Sequence, residues 1–305
     1  MQRNRIHQLQ AEQNQLKNMI SRTPAENVID IKGFEYRLGR VSEELEELQT
    51  GYREPAKTVL YFRGKPVVGT TGVFAKFGVE AVDQYNDVVM ALAAQISGKT
   101  LGDRGVIPKF KDNQLLITGT ALGSFGFELE ENLEQLDNIS EADSSLMEVS
   151  MKKALSILKA SLESDEDLMD EIDELDDRAI SLIHNFLDTM AKNEAYCAVE
   201  VDEEYFSFVD YDQVQRSASR FDKNNITEEN THLTGEFIGA LPESRTFEFK
   251  LFESNDIIKG KIANTIDDVM VINRNLEKQL KIKVQKKTVG KGKPRFTLLD
   301  FAEIE

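Results

Sequence analysis

The chain has 305 residues, 34.5 kDa, 40% apolar and 30% charged, so it is not wholly disordered, and at about 150 residues per domain it makes about two domains. Its net charge of −17 argues against a surface that attracts DNA everywhere, and its single cysteine excludes an internal disulfide. The richest apolar run, residues 88–96, falls well short of the roughly 18 residues that span a bilayer, and the polar start Met1-Gln2-Arg3-Asn4-Arg5 shows no secretory signal, so a cytoplasmic location is expected.

Chain order begins with two helical seams. Ile6, Leu9, Gln13, Leu16 and Ile20 are spaced 3, 4, 3, 4, and Phe34, Leu38, Val41, Leu45 and Leu48 are spaced 4, 3, 4, 3, the pattern that winds helices together. Between them Ser21-Arg22-Thr23-Pro24-Ala25-Glu26-Asn27 interrupts the helix, because proline lacks an amide hydrogen and clashes with the preceding turn. The expectation is an antiparallel coiled-coil hairpin over 1–54, ending near Gly51, with Gln13 in the seam helping to specify register. Helices this short are close to the limit of stability without a partner. The seams serve packing of the hairpin on itself, on the same hairpin of another copy, or on a different protein. Self-association is the preferred reading, since symmetric homo-oligomers are the commonest assemblies.

The stretch 55–225 reads as an α+β body. Thr58-Val59-Leu60-Tyr61-Phe62 is a strand of β-formers, Arg63-Gly64-Lys65-Pro66 turns it, and Pro66-Val67-Val68 is expected to return beside it. A helix follows with Val82, Tyr85, Val88, Val89, Leu92 and Ile96 on one face. After a glycine-rich loop at 98–105 come a strand around Leu115-Leu116-Ile117, a turn at Gly119-Thr120 and a strand over 124–129. Two long helices are expected over 145–162 and 167–190. Ser164-Asp165-Glu166-Asp167 caps the second, where negative charge favours the helix dipole. A strand over 196–201 and a short helix over 211–221 complete the body. Strands and helices in blocks, rather than in strict alternation, point to α+β.

The stretch 228–305 is expected to be a small β-barrel. Strands are predicted over 233–241, 246–252, 257–263, 281–289 and 295–301. A helix opened by Thr265-Ile266-Asp267-Asp268, and containing Val269, Val271, Ile272, Leu276 and Leu280, falls between the third and fourth. That order suits an OB-like barrel, with an SH3-like barrel as the near alternative. Phe247, Phe249 and Leu251 alternate with Glu248 and Lys250, and the phenylalanines read as barrel filling rather than as a base-stacking platform.

Charge is placed unevenly. Residues 128–177 hold 18 acidic and 3 basic residues, whereas residues 278–295 hold seven lysines, one arginine and no acid. Lys281, Lys283, Lys286, Lys287, Lys291, Lys293 and Arg295 are the candidate anion or nucleic-acid contacts. On a strand Lys281, Lys283 and Gln285 share the outer face while Ile282 and Val284 enter the core. Weak, salt-sensitive binding without sequence preference is the expectation for a phosphate backbone there. The preferred alternative has the basic stretch docking on the acidic segment of its own chain or of a neighbour.

Other motifs are weaker. Gly64-Lys65-Pro66-Val67-Val68-Gly69-Thr70-Thr71 resembles the frame of a phosphate-binding P-loop, but Thr70 stands where that motif needs lysine and Pro66 removes an amide donor, so an ordinary hairpin is the better account. Gly123-Ser124-Phe125-Gly126 is not a nucleophile elbow, since Leu122 replaces the first glycine. Glu248-Phe249-Lys250 matches half of a metal-dependent nuclease site, without a well-placed second carboxylate. Asp167, Asp170, Glu171, Asp173, Glu174 and Asp177 lack the glycine-centred loop that wraps calcium. His7, His184 and His232 are far apart, and Cys197 sits where buried thiols usually sit.

The residues name no activity. The expectation is a non-catalytic oligomeric interaction protein: an adaptor, sensor or assembly subunit, for instance of a bacterial antiviral system. A nucleic-acid-binding module using the barrel and its basic hairpin is the first alternative. A metal-dependent nuclease or an acidic DNA mimic are further ones. The partners expected are the chain itself, through its N-terminal helices, and an unidentified protein; no membrane, metal or cofactor is expected.

Overall fold

Helices α1 (Gln2–Arg22) and α2 (Val28–Gln49) lie antiparallel. Ile6, Leu9, Leu16, Val41 and Leu45 are buried between them, with Phe34, Leu38 and Leu48 packed alongside; Ile20 is half-buried. Both seams therefore meet inside a single chain. Burying them removes apolar surface from water, which neither helix achieves alone. Arg5 pairs with Glu44 and Arg37 with Glu12, and Gln13 Nε2 donates to Ser42 Oγ at 3.0 Å, so the polar seam residue is satisfied across the hairpin. Thr23 closes α1 by donating its hydroxyl to the Met19 carbonyl, and the Asn27 carbonyl accepts from the Ile31 amide to start α2.

The computed structural model describes residues 2–49, 54–99, 101, 102, 105, 107, 114–121, 125–133 and 145–303. The end of the arm near Gly51, much of the glycine-rich loop, Gly123-Ser124 and the acids between 134 and 143 lie outside the described residues. The hairpin belongs to one compact unit; the α+β body and the C-terminal strands form the other.

The body is built on an antiparallel sheet of β4 (Leu116–Ala121), β5 (Gly126–Glu130), β1 (Lys57–Gly64), β6 (Ala195–Val201) and β7 (Glu204–Ser207), in that spatial order. Side chains alternate along β1, so Thr58, Leu60 and Phe62 turn together toward the core. That core is completed by α3 (Ala75–Ile96), α4 (Leu146–Ala160), α5 (Asp165–Ile172), α6 (Asp177–Lys192) and α7 (Tyr211–Arg220). Tyr85 and Phe186 meet there with ring centroids 5.7 Å apart. Thr58 satisfies its buried hydroxyl on the Glu200 carbonyl at 3.0 Å and lies 3.2 Å from the Tyr85 hydroxyl. Among the described residues no helix is long and apolar enough to cross a membrane.

Several elements differ from the sequence expectation. The segment expected to return beside β1 forms instead a two-strand ribbon, β2 (Val67–Val68) with β3 (Gly72–Val73), while β1 takes β5 and β6 as neighbours. Gly119-Thr120 is not a turn; it lies inside β4 beside a register shift. The helix expected over 167–190 is two helices, α5 and α6, broken at 173–176. Apolar periodicity runs through the break because both helices bury the same core, so spacing alone hides it.

The C-terminal strands are β8 (Ile226–Leu241), β9 (Thr246–Leu251), β10 (Ile257–Ile262), β11 (Leu280–Val289) and β12 (Arg295–Glu303). They pair in the closed order β10-β12-β11-β8-β9, with β10 and β12 parallel and every other pair antiparallel. Inside the ring Phe237 packs edge-on against Phe247, Phe249 and Phe301. The helix expected between the third and fourth strands shrinks to α8 (Met270–Asn273), and Leu280 belongs to β11. Two close approaches seal the ring: a Cβ on Gly235 would lie 2.0 Å from the Lys250 carbonyl oxygen, and one on Gly260 would lie 2.2 Å from that of Phe296. Asn273 finishes the ring at one end. Its amide accepts from the Ala240 N–H at 2.9 Å and donates to the Ala240 carbonyl at 2.8 Å, occupying the backbone groups that β8 turns away from β9.

Candidate functional site

The basic stretch meets the acidic segment of its own chain. Helix α5 starts from Ser164, whose hydroxyl accepts from the Asp167 amide while Asp167 takes the Ser164 amide in return. The Ser164 hydroxyl, which donates to the Asp167 carboxylate, and then the Ser164 amide hold that carboxyl below its ordinary range. Leu168, Met169 and Ile172 anchor the helix in the body core. Its carboxylates and those of the break that follows it reach the strand ring. Asp165 accepts the Lys291 backbone amide at 3.1 Å and pairs with Arg220 at 2.7 Å. Asp170 pairs with Arg295, and Lys261 binds Asp173 at 2.9 Å and Glu174 at 2.6 Å. Burial pulls the Lys261 ammonium down, but its hydrogen bonds to Glu174 and Asp173 outweigh that and raise it overall.

Lys287 corrects the sequence expectation. It continues the outward row of Lys281, Lys283 and Gln285, yet that side of the ring is covered here and Lys287 is only 6% exposed. Its ammonium donates to the carbonyls of Ile172 at 3.2 Å and Leu175 at 3.0 Å where the helix breaks between α5 and α6; Ile172 also accepts the Leu175 amide there. Desolvation lowers its pKa, partly opposed by Glu228 and the acids at 173, 176 and 177. It is an inward staple and not a free anion contact. Of the other candidates, Lys286 pairs with Glu229. Lys281, Lys283 and Lys293 are exposed and form no ion pair among the described residues. Lys281 lies opposite Thr234 and Lys283 opposite His232 on β8.

Beside these ion pairs a groove of about 840 Å³ runs over β9 and β10. Ile238, Leu241, Phe247 and Phe296 contribute apolar lining, while Lys259, Lys261 and Arg295 bring positive charge and Glu248, Asp170 and Asp173 bring negative. Alternation explains the cations: Ile262 is buried in the ring and Lys259 and Lys261 fall on the opposite side. Neither lysine is among the sequence candidates, since both lie outside the 278–295 run, although the Lys259-Gly260-Lys261 alternation places them on one face of a strand.

The remaining motifs do not converge. Glu248 pairs with Lys259 at 2.6 Å and Lys250 with Glu236 at 3.5 Å, two separate cross-strand pairs. Among the described residues no three histidine, cysteine or acidic side chains come together as a metal site. Cys197 is buried, and desolvation pushes its thiol up to about 12. Comparison with protein-family models, curated proteins and solved structures finds no match.

Proposed function

We propose that this chain is a non-catalytic interaction protein, an adaptor or assembly subunit, whose N-terminal coiled-coil hairpin joins it to other copies of itself. One observation carries the reading. The hairpin's seam is closed inside the chain, yet α2 leaves Ile29 88% and Tyr36 72% exposed. Seven residues apart, the two share one face of the helix, away from the Phe34–Leu48 seam. Charge favours a second hairpin as the occupant, since α1 carries a net +3 and α2 a net −3. An antiparallel pair that sets α1 of one copy against α2 of the other brings opposite charges together. The test is the mass in light scattering at micromolar concentration. A dimer or larger species is expected, and Ile29→Glu with Tyr36→Glu reduces it to a monomer while the circular dichroism spectrum is kept. A monomeric wild type removes the oligomeric reading.

A second reading, nucleic-acid binding by the C-terminal strands, is supported by their order. Numbered from β8, the closed order is 3-5-4-1-2 with strands three and five parallel, which favours an OB-type barrel over an SH3-like one. Such barrels hold oligonucleotides on strands two and three and the adjoining loops, the surface over which the groove runs. Titration of labelled single- and double-stranded oligonucleotides at two salt concentrations tests it. Micromolar, salt-sensitive binding without sequence preference is expected; tight binding that survives high salt argues against a phosphate-backbone contact.

A further inference from the structure

We propose that the surface around Lys261, Lys291 and Arg295 is a phosphate-backbone site whose resting occupant is the chain's own helix α5 with the break that follows it, so that single-stranded nucleic acid enters only in competition with the carboxylates of residues 165–174. The inference rests on the second reading above and adds its regulation.

Three observations meet here. First, the acids stand where phosphates would be bound: Asp173 and Glu174 on Lys261, Asp170 on Arg295, and Asp165 on the Lys291 amide. Second, the same cations border open space. Lys261 and Arg295 line the groove together with Asp170 and Asp173, so a strand lying over β9 and β10 meets both the cations it needs and the carboxylates that repel it.

Third, the occupant is held in two unequal ways. Leu168, Met169 and Ile172 fix α5 in the core and Lys287 staples its end, so the helix stays in place. The ion pairs at the groove are partly exposed, with Asp170 at 64% and Glu174 at 80% side-chain exposure. Exposed pairs are individually weak and screened by salt, so flexible Lys261 and Arg295 side chains can turn from carboxylate to phosphate without moving a core residue. A phosphate strand is favoured over an acidic peptide because the groove continues past the cations over apolar Ile238, Leu241 and Phe296, surface suited to bases.

The experiment is a titration of labelled oligo-dT at low salt into wild type and into Asp170→Asn, Asp173→Asn, Glu174→Gln. Affinity is expected to rise by about tenfold or more, as removal of three competing charges beside a phosphate path implies, and to fall back when Lys261→Gln and Arg295→Gln are added. Equal, measurable affinity of wild type and triple variant overturns the competition and leaves barrel binding standing. Absence of binding by both overturns the nucleic-acid reading itself. A triple variant that captures poly-glutamate as well as oligo-dT overturns the choice of ligand. Asp173 is the least exposed of the three acids, so the double variant Asp170→Asn, Glu174→Gln carries the test if the triple variant does not fold.

Discussion

Lys287 is the residue whose role differs most from its appearance in the sequence. Removing it leaves the Leu175 carbonyl without its donor and the Ile172 carbonyl with the Leu175 amide alone, so Lys287→Met is expected to lower the unfolding free energy by about 1–3 kcal/mol, measured by chemical denaturation at neutral pH. Because burial lowers its folded pKa, the unfolded chain binds more protons between that value and the ordinary lysine pKa. Wild-type stability relative to the methionine variant therefore rises with pH through that alkaline window and levels off above it. A gap that narrows there would contradict a desolvated ammonium. Cys197 offers a second residue-scale test. With its thiol pushed up to about 12 inside the core, it is expected to resist a thiol-specific reagent in the native protein and to react fully in denaturant.

At the scale of elements, the strand ring depends on places where two backbones touch. Gly235→Ala and Gly260→Ala each drive a methyl group into a carbonyl oxygen, and each is expected to cost about 2 kcal/mol or more, as overpacking against immovable backbone does. Gly239→Ala meets nothing within 4 Å and serves as the tolerated control. These elements also show what the sequence made legible. The strands from Leu233 onward and the seams of α1 and α2 were readable because their periodicities are local and strong. The break between α5 and α6 was not, because it is stabilised from outside the segment, by a lysine more than a hundred residues away. The same holds for the candidate site. Both charge runs stand out in the sequence, but their pairing residue by residue is a product of tertiary contact. The groove adds Lys259 and Lys261, which lie outside either run.

For the whole molecule, the ion pairs at Lys261 and Arg295 tie the strand ring to the body with salt-dependent strength. Lys261→Gln with Arg295→Gln is expected to lower stability by about 1 kcal/mol at low ionic strength. The difference should close as added salt screens both partners in the wild type, and a gap unchanged by salt would show that the contact is held by packing instead. The Asn273 amide carries a consequence of another kind, for behaviour in concentrated solution. By answering both backbone groups of Ala240, it closes a stretch of β8 that would otherwise offer itself to a strand of another molecule. Conversion of that amide to a carboxylate, by Asn273→Asp or by slow deamidation of stored protein, removes the donor and sets a negative charge against the Ala240 carbonyl. The uncovered edge can then template intermolecular sheet, so a protein that stays dispersed when fresh would form aggregates as it ages.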